Sequence, residues 1–251
     1  MSFEINYSIV IPAKNEAENI RTLVDEIFLQ FSESDDFEIV YVDDGSSDNT
    51  SEIIKQVSAN YPGKIVLARH DICAGQSTAI YTGVCAAAGR LIITLDADGQ
   101  NNPADIPKLL KRASTFSPVR DFCITGFRKH RKDTAYKRLQ SKIANKVRAY
   151  LLKDDTPDTG CGLKVFPRHT FLKLPYFNHM HRYLPALIKR VGGCVEIVEV
   201  SHRERKRGES KYGMWERLFA GIIDLLGVMW LQRRSKSPSI AVYRAQVQHE
   251  E

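Results

Sequence analysis

The sequence has little that would staple, anchor or repeat it. Its five cysteines, Cys73, Cys85, Cys123, Cys161 and Cys194, are an odd number, widely spaced, with no Cys-x-x-Cys. That argues against a zinc ribbon or a disulfide framework and leaves buried free thiols in a reducing compartment as the expectation. The amino terminus, Met-Ser-Phe-Glu-Ile-Asn, has no basic stretch followed by an apolar run, so no secretory leader is expected. No low-complexity tract, internal repeat or linker divides the chain. The most apolar segment, Leu218–Leu231, is shorter than the ~20 residues a bilayer span requires, and Asp224 interrupts it.

What is present suits a globular chain. The 251 residues are 43% hydrophobic and 26% charged, enough for one full α/β core. The net charge is +6, and the excess gathers at Arg128–Arg138 and His202–Lys211. Local clusters of this kind suit phosphate handling more than a long groove for nucleic acid.

Through the first half, short apolar runs alternate with segments of helical period. Tyr7–Pro12, Phe37–Val42, Lys64–Arg69, Leu91–Asp96 and Asp121–Gly126 read as buried strands. Glu16–Phe31, Asp48–Tyr61, Gly75–Ala88 and Asp105–Ala113 read as helices; Ile20, Leu23, Val24, Ile27 and Phe31 form one apolar face. Ser47-Asp48-Asn49-Thr50 offers capping chemistry for the second helix. The alternation predicts a mainly parallel sheet with helices on both faces and ligands at the carboxyl ends of its strands. Farther on, Ala135–Leu152 reads as a basic amphipathic helix, Asp154–Gly162 as a turn and Leu163–Phe166 as a short apolar piece. His181–Val191 reads as a helix bent or begun at Pro185, Cys194–Val200 as a strand and Met214–Leu231 as the most apolar helix.

Two acidic stations follow strands: Val42-Asp43-Asp44-Gly45-Ser46-Ser47-Asp48 and Leu95-Asp96-Ala97-Asp98-Gly99-Gln100. Carboxylates set side by side after a buried strand repel each other, and a divalent cation is the economical reason to place them there. Hard oxygen ligands suit Mg²⁺ or Mn²⁺, which bridge carboxylates to substrate phosphates. An isolated Asp-x-Asp is more often a surface turn, but the strand end and the second station weigh against that here.

The ordered motifs Ser8-Ile9-Val10-Ile11-Pro12-Ala13-Lys14-Asn15-Glu16, Val42–Asp48 and Asp96–Gln100 resemble those of the family-2 glycosyltransferases. Within them the chain is most similar to the dolichyl- and polyprenyl-phosphate glycosyltransferases, over about Tyr7 to Trp230. The resemblance implies a GT-A-type α/β fold. It implies a nucleotide-sugar pocket lined by Pro12, Ala13, Asn15, Glu16, Asp43 and Asp44, and a metal station of Asp96, Asp98 and Gln100 holding Mg²⁺ or Mn²⁺. It also implies phosphate contacts from Arg128 and Arg131 and a clamp of Arg205, Ser210 and Lys211 in the pattern Arg-x-x-Gly-x-Ser-Lys. Asp98, Arg128, Arg205 and Lys211 are the residues expected to carry catalysis, with Asp96, Arg131 and Ser210 on the donor. Ala74-Gly75-Gln76-Ser77 stands where a helix start meets phosphate or sugar oxygens. Asp158 matches a family aspartate for which acceptor positioning and turn-holding stand equal; Cys161 and Leu163 depart from the family pattern there.

The implied activity is transfer of a hexosyl unit, with inversion, from a GDP- or UDP-sugar to a polyprenyl phosphate. The expected setting is cytoplasmic, peripheral at the cytoplasmic face of a membrane. Residues 1–212 are expected to form the catalytic domain and residues 213–251 an amphipathic helix and tail. That helix either lies in the membrane interface or packs on the core. Partners would be the donor, the acceptor and a membrane surface or small membrane subunit, without nucleic acid; a homo-oligomer is compatible. A glycan or protein acceptor and a non-catalytic binding subunit are the alternatives. The phosphate clamp and the intact Asp96 and Asp98 weigh against them. His179 and His181 read as part of a polar turn, near the acceptor side if the resemblance holds, rather than as metal ligands.

Overall fold

A computed structural model describes residues 5–32, 35–129, 146–203 and 214–234, the last with side chains from residue 221 onward. The first half alternates as the apolar runs predict: β1 (Tyr7–Ala13), α1 (Ala17–Phe28), β2 (Phe37–Asp44), α2 (Thr50–Ser58), β3 (Ile65–His70), α3 (Gln76–Ala86) and β4 (Leu91–Thr94). Then come α4 (Ile106–Ala113), β5 (Phe122–Phe127), α5 (146–152), β6 (Lys164–Pro167), α6 (Arg168–Leu172), α7 (Leu184–Arg190), β7 (Cys194–Glu199) and α8 (Met214–Arg233).

The strands form one sheet in the order β3-β2-β1-β4-β6-β5-β7. β1 pairs in parallel with β2 and β4, and β5 with β7, while β6 runs antiparallel between β4 and β5. All eight residues of β2 are buried, because strands flank it and helices cover both faces. Alternation sends Ile9, Ile11, Ile39 and Tyr41 to the layer containing α1, α2 and α4, and Val10 and Val40 to the layer containing α3, α6 and α7. The α1 face of Ile20, Leu23, Val24 and Ile27 is buried against the first layer, each side chain contributing roughly 1.5–3 kcal/mol.

Several expectations change. β4 stops at Thr94, so Asp96, expected as the last strand residue, lies with Asp98 in the following loop. β6 was expected only as an apolar piece. Asn49 caps α2 without a side-chain bond; the Asp48 carboxylate instead accepts the N–H and hydroxyl of Thr50, at 3.0 and 2.5 Å. The helix expected from His181 begins at Leu184, with Pro185 in its first turn, where a missing N–H costs nothing. A 3₁₀ turn, Met180–Arg182, precedes it. Only 146–152 of the expected Ala135–Leu152 helix falls among the described residues. The cysteines are all free, but only Cys123 and Cys161 are buried; Cys73 and Cys85 are exposed and Cys194 lies between.

α8 is two-sided. Val228 is buried in the second layer with Leu225 and Met229 beside it, and His179 Nδ1 meets the Asp224 carboxylate at 2.9 Å. Ile223, Leu226 and Trp230 face outward, 67%, 60% and 58% exposed. Among the described residues no helix is long and apolar enough to cross a membrane.

Candidate active site

A cleft of about 490 Å³ opens at the carboxyl ends of β1, β2 and β4. Pro12, Ala13, Glu16, Asp44, Gln76, Asp96 and Asp98 line it, with Gly162, Lys164 and His181 from the second half. The sheet order explains the convergence, since β4 sits between β1 and β6 and brings both halves to one edge.

The first acidic station is occupied by the protein itself. β2 runs through Asp44, so Asp43 and Asp44 point to opposite faces. Asp43 is fully buried away from the cleft; it accepts the Ser46 N–H at 2.9 Å and the Ser51 hydroxyl, and Arg69 stands 3.9 Å off. It therefore builds the loop under the pocket instead of lining the pocket. Asp44 does reach the cleft, but each of its oxygens takes two donors. His70 Nδ1 and the Ala74 N–H lie 2.8 Å from Oδ1; the Cys73 thiol and Gly75 N–H lie 3.2 and 2.9 Å from Oδ2. Burial opposes its ionisation, yet these bonds outweigh burial and hold the carboxyl below its usual range. Gly45, at φ +66°, makes the turn, and a Cβ there would collide with the backbone of Ile72 and Cys73. Asn15, at φ 56°, ties the loop to β1: its N–H donates to Ser46 Oγ at 2.9 Å and its Oδ1 accepts the Ser47 N–H at 2.8 Å.

The second station is different. Asp96 Oδ1 accepts from Gln76 Nε2 at 2.9 Å, and the Asp96 N–H donates to buried Asn101 at 3.1 Å. Asp98 Oδ1 accepts the Gln100 N–H at 3.1 Å. Burial first, and then the charge of Asp98, push the Asp96 carboxyl up to about 6, against the pull of Lys164 and Arg128. A carboxylate raised beside a second one is the situation a bound divalent cation relieves, and hard oxygens fit Mg²⁺ or Mn²⁺. Among the described residues no group of three His, Cys, Asp or Glu side chains converges, so two carboxylates would share such an ion with substrate oxygens and water. The amide beside Asp96 comes from Gln76, not Gln100, which fastens the turn through its main chain.

Arg128 was expected to face phosphate. Its Nε and Nη2 instead grip Asp158 at 2.7 and 2.9 Å in a buried, bidentate pair. Burial opposes the guanidinium charge, but Asp158 outweighs burial and raises the Arg128 pKa. Asp158 Oδ1 also accepts the Gly160 N–H at 3.2 Å, so this aspartate holds both the turn and the arginine. Behind it, Arg148 of α5 pairs with Asp154 at 2.7 Å and fixes the start of the turn.

Three further residues line the cleft: Lys164, to which the sequence assigns no role, and Gly162 and His181, which it places only in turns. Lys164, only 3% exposed, is held between Thr94 of β4 and Thr125 of β5, and its Nζ donates to the Cys161 carbonyl. It is a buried cation beside Asp96, a signal obscured by lying in a four-residue strand. Gly162 passes so close to Asp96 that a Cβ would overlap the carboxylate. His181 meets Ser77, across 104 residues of sequence.

The chain then returns to the second station. Asn101 bridges to His202, the Arg203 N–H donates to the Gln100 carbonyl at 3.1 Å, and Ser201 Oγ donates to Asp105 at 2.6 Å. These bonds fasten residues 201–203 to the loop that follows Asp98. Arg131, Arg205, Ser210 and Lys211 lie outside the described residues.

Comparison with known proteins gives this geometry a context. The profile of glycosyl transferase family 2 matches residues 8–174. An undecaprenyl-phosphate 4-deoxy-4-formamido-L-arabinose transferase of Aeromonas hydrophila is 32% identical over 209 residues, 82% of this chain and 63% of that protein. A dodecaprenyl-phosphate galacturonate synthase of Rhizobium johnstonii is 32% identical over 243 residues, 93% of this chain and 69% of that protein. The chain therefore spans about two thirds of the length of these relatives. Glucosyl-3-phosphoglycerate synthase from Mycobacterium tuberculosis, solved with UDP, superposes with a TM-score of 0.65 at 18% identity, covering 98% of this chain and 85% of that one. The same enzyme with Mg²⁺ and UDP gives 0.67 at 17% identity, covering 91% and 79%. At such identities the likeness concerns the fold, which is of GT-A type.

Proposed function

Because the chain belongs to glycosyl transferase family 2, we propose that it moves a hexosyl unit from a UDP- or GDP-sugar to a polyprenyl phosphate at the cytoplasmic face of a membrane. The observation that carries this reading is the raised, paired carboxylate of Asp96 at the floor of a strand-end cleft, with Asp98 and buried Lys164 beside it. The relatives act on polyprenyl phosphates, and UDP in the structural neighbours favours a uridine donor.

In this reading Pro12, Ala13 and Glu16 flank the nucleotide, and Asn15, expected among them, fastens the adjoining loop and does not line the cleft. The main-chain bonds to Asp44 hold residues 73–75 in shape beneath the nucleotide. Asp96 and Asp98 would hold Mg²⁺ or Mn²⁺, which when bound neutralises charge on the leaving diphosphate. Lys164 adds a fixed positive charge from the cleft floor, and Arg131, Arg205, Ser210 and Lys211 supply phosphate contacts. An acceptor phosphate oxygen attacks the anomeric carbon, the carbon–oxygen bond to the diphosphate breaks with its electron pair, and configuration inverts. The attacking phosphate is already anionic, so the site needs no strong base; positioning and charge stabilisation carry the rate. Residues 1–212 do this chemistry. Residues 213–251 bring it to the lipid, with Ile223, Leu226 and Trp230 toward the bilayer and Arg233 and Arg234 toward anionic headgroups.

The test is a donor screen with Mn²⁺ and a short-chain polyprenyl phosphate, following release of nucleoside diphosphate. Acceptor-dependent release with one nucleotide sugar is expected. Release that ignores polyprenyl phosphate but responds to a glycan or protein acceptor would redirect the assignment within the family.

A further inference from the structure

His181 stands on the cleft wall and contributes to no step above. It sits in the 3₁₀ turn Met180–Arg182, set up by His179 at φ 66°. Its partner is Ser77, 1% exposed, in the first turn of α3. The His181 N–H donates to Ser77 Oγ at 3.3 Å, and the same Oγ lies 2.7 Å from His181 Nδ1.

A serine hydroxyl has one proton, and a buried one requires an acceptor. Among the described residues Nδ1 is the acceptor within reach, so the Ser77 proton goes to it. In a neutral ring the remaining proton then belongs to Nε2. Burial first, then Arg182, Lys164 and His179, hold the imidazole pKa well below 6.5. Arg182 and His179 flank it in its own turn, and Lys164 faces it from β6. Asp224 of α8 is engaged by His179.

We propose that His181 is a specificity-determining residue: Ser77 locks its tautomer so that Nε2–H donates to an uncharged oxygen, a hydroxyl of the donor's sugar. This rests on the nucleotide-sugar reading above. Phosphate oxygens are better met by the charged groups of the cleft, whereas a ring kept neutral among cations offers a fixed donor without charge. The neighbouring Gln76 binds Asp96, so one turn of α3 sets both the acidic station and the sugar-facing histidine.

Two measurements test this. In protein labelled with ¹⁵N-histidine, long-range ¹H–¹⁵N spectra should show His181 protonated at Nε2, bare at Nδ1 and unchanged from pH 8 to pH 5.5. Protonated Nδ1, or a midpoint near 6.5, overturns the assignment. With the nucleotide sugar identified by the donor screen, His181→Leu should lower kcat/KM by about 3–10-fold, the range of one neutral hydrogen bond. His181→Gln, which retains a donor, should recover most of that, and UDP with Mn²⁺ should bind both variants as it binds wild type. An equal loss of UDP affinity in His181→Leu, or no loss of kcat/KM, overturns the sugar contact. A screen in which no nucleotide sugar reacts would instead sink the enzymatic reading and leave the tautomer result standing.

Discussion

Asp43-Asp44 and Asp96-Ala97-Asp98 look like two copies of one device, acidic residues after a buried strand. The structure separates them. At the first, the Ser51 hydroxyl, main-chain N–H groups, the Cys73 thiol and His70 satisfy both carboxylates, and Asp44 titrates below its ordinary range. At the second, one amide reaches Asp96, and its carboxyl is raised to about 6. The first station is a structural fastening; the second is left with repulsion that a cation removes. The lesson is that the bonds around a carboxylate, more than its place in a motif, tell whether it waits for a ligand.

The contrast can be broken by substitution. The largest effect is expected from Asp98→Ala, which should reduce transfer by about three orders of magnitude, roughly 4 kcal/mol of barrier, with the fold intact by circular dichroism. Next is Asp158→Ala, which strands the buried Arg128 guanidinium and should cost about 3 kcal/mol of stability in urea unfolding.

Asp44→Asn should cost about 2 kcal/mol, since an amide cannot accept all four bonds. It also has a pH signature. Asp44 is depressed in the folded state, so its contribution is present above the unfolded value of about 3.9 and is lost as pH falls through the lower folded value. Wild type should therefore lose stability on acidification below about pH 4 more steeply than Asp44→Asn. The smallest effect has the opposite sign. Asp96→Asn in chelator-treated protein near pH 7.5 should gain about 1 kcal/mol by removing a buried charge and its repulsion with Asp98, discounted for partial exposure. A destabilised Asp96→Asn together with an unaffected Asp44→Asn would dissolve the distinction.

Much of this was legible beforehand. Alternating runs such as Ser8–Pro12 and Phe37–Val42 give the parallel half because buried strands and amphipathic helices have different periods. The opposite facing of Asp43 and Asp44 was also readable once β2 was extended to its end, as side chains alternate along a strand. β6 was not: four residues with a lysine among them do not look like a buried strand, and Lys164 is tolerated there because the Cys161 carbonyl and Asp96 stand beside it. The pairing of Ser77 with His181 and of Gln76 with Asp96 joins distant segments, and no local pattern carries such tertiary contacts.

Titrating Mn²⁺ into the protein with UDP present, by calorimetry or loss of the free-ion spin signal, addresses the core of the account. Wild type should take up one ion per chain in a UDP-dependent manner, and Asp96→Asn combined with Asp98→Asn should abolish that uptake while Asp43→Asn leaves it in place in whatever fraction folds. Equal Mn²⁺–UDP binding by wild type and the doubly substituted protein would contradict the claim that this pair of aspartates holds the ion.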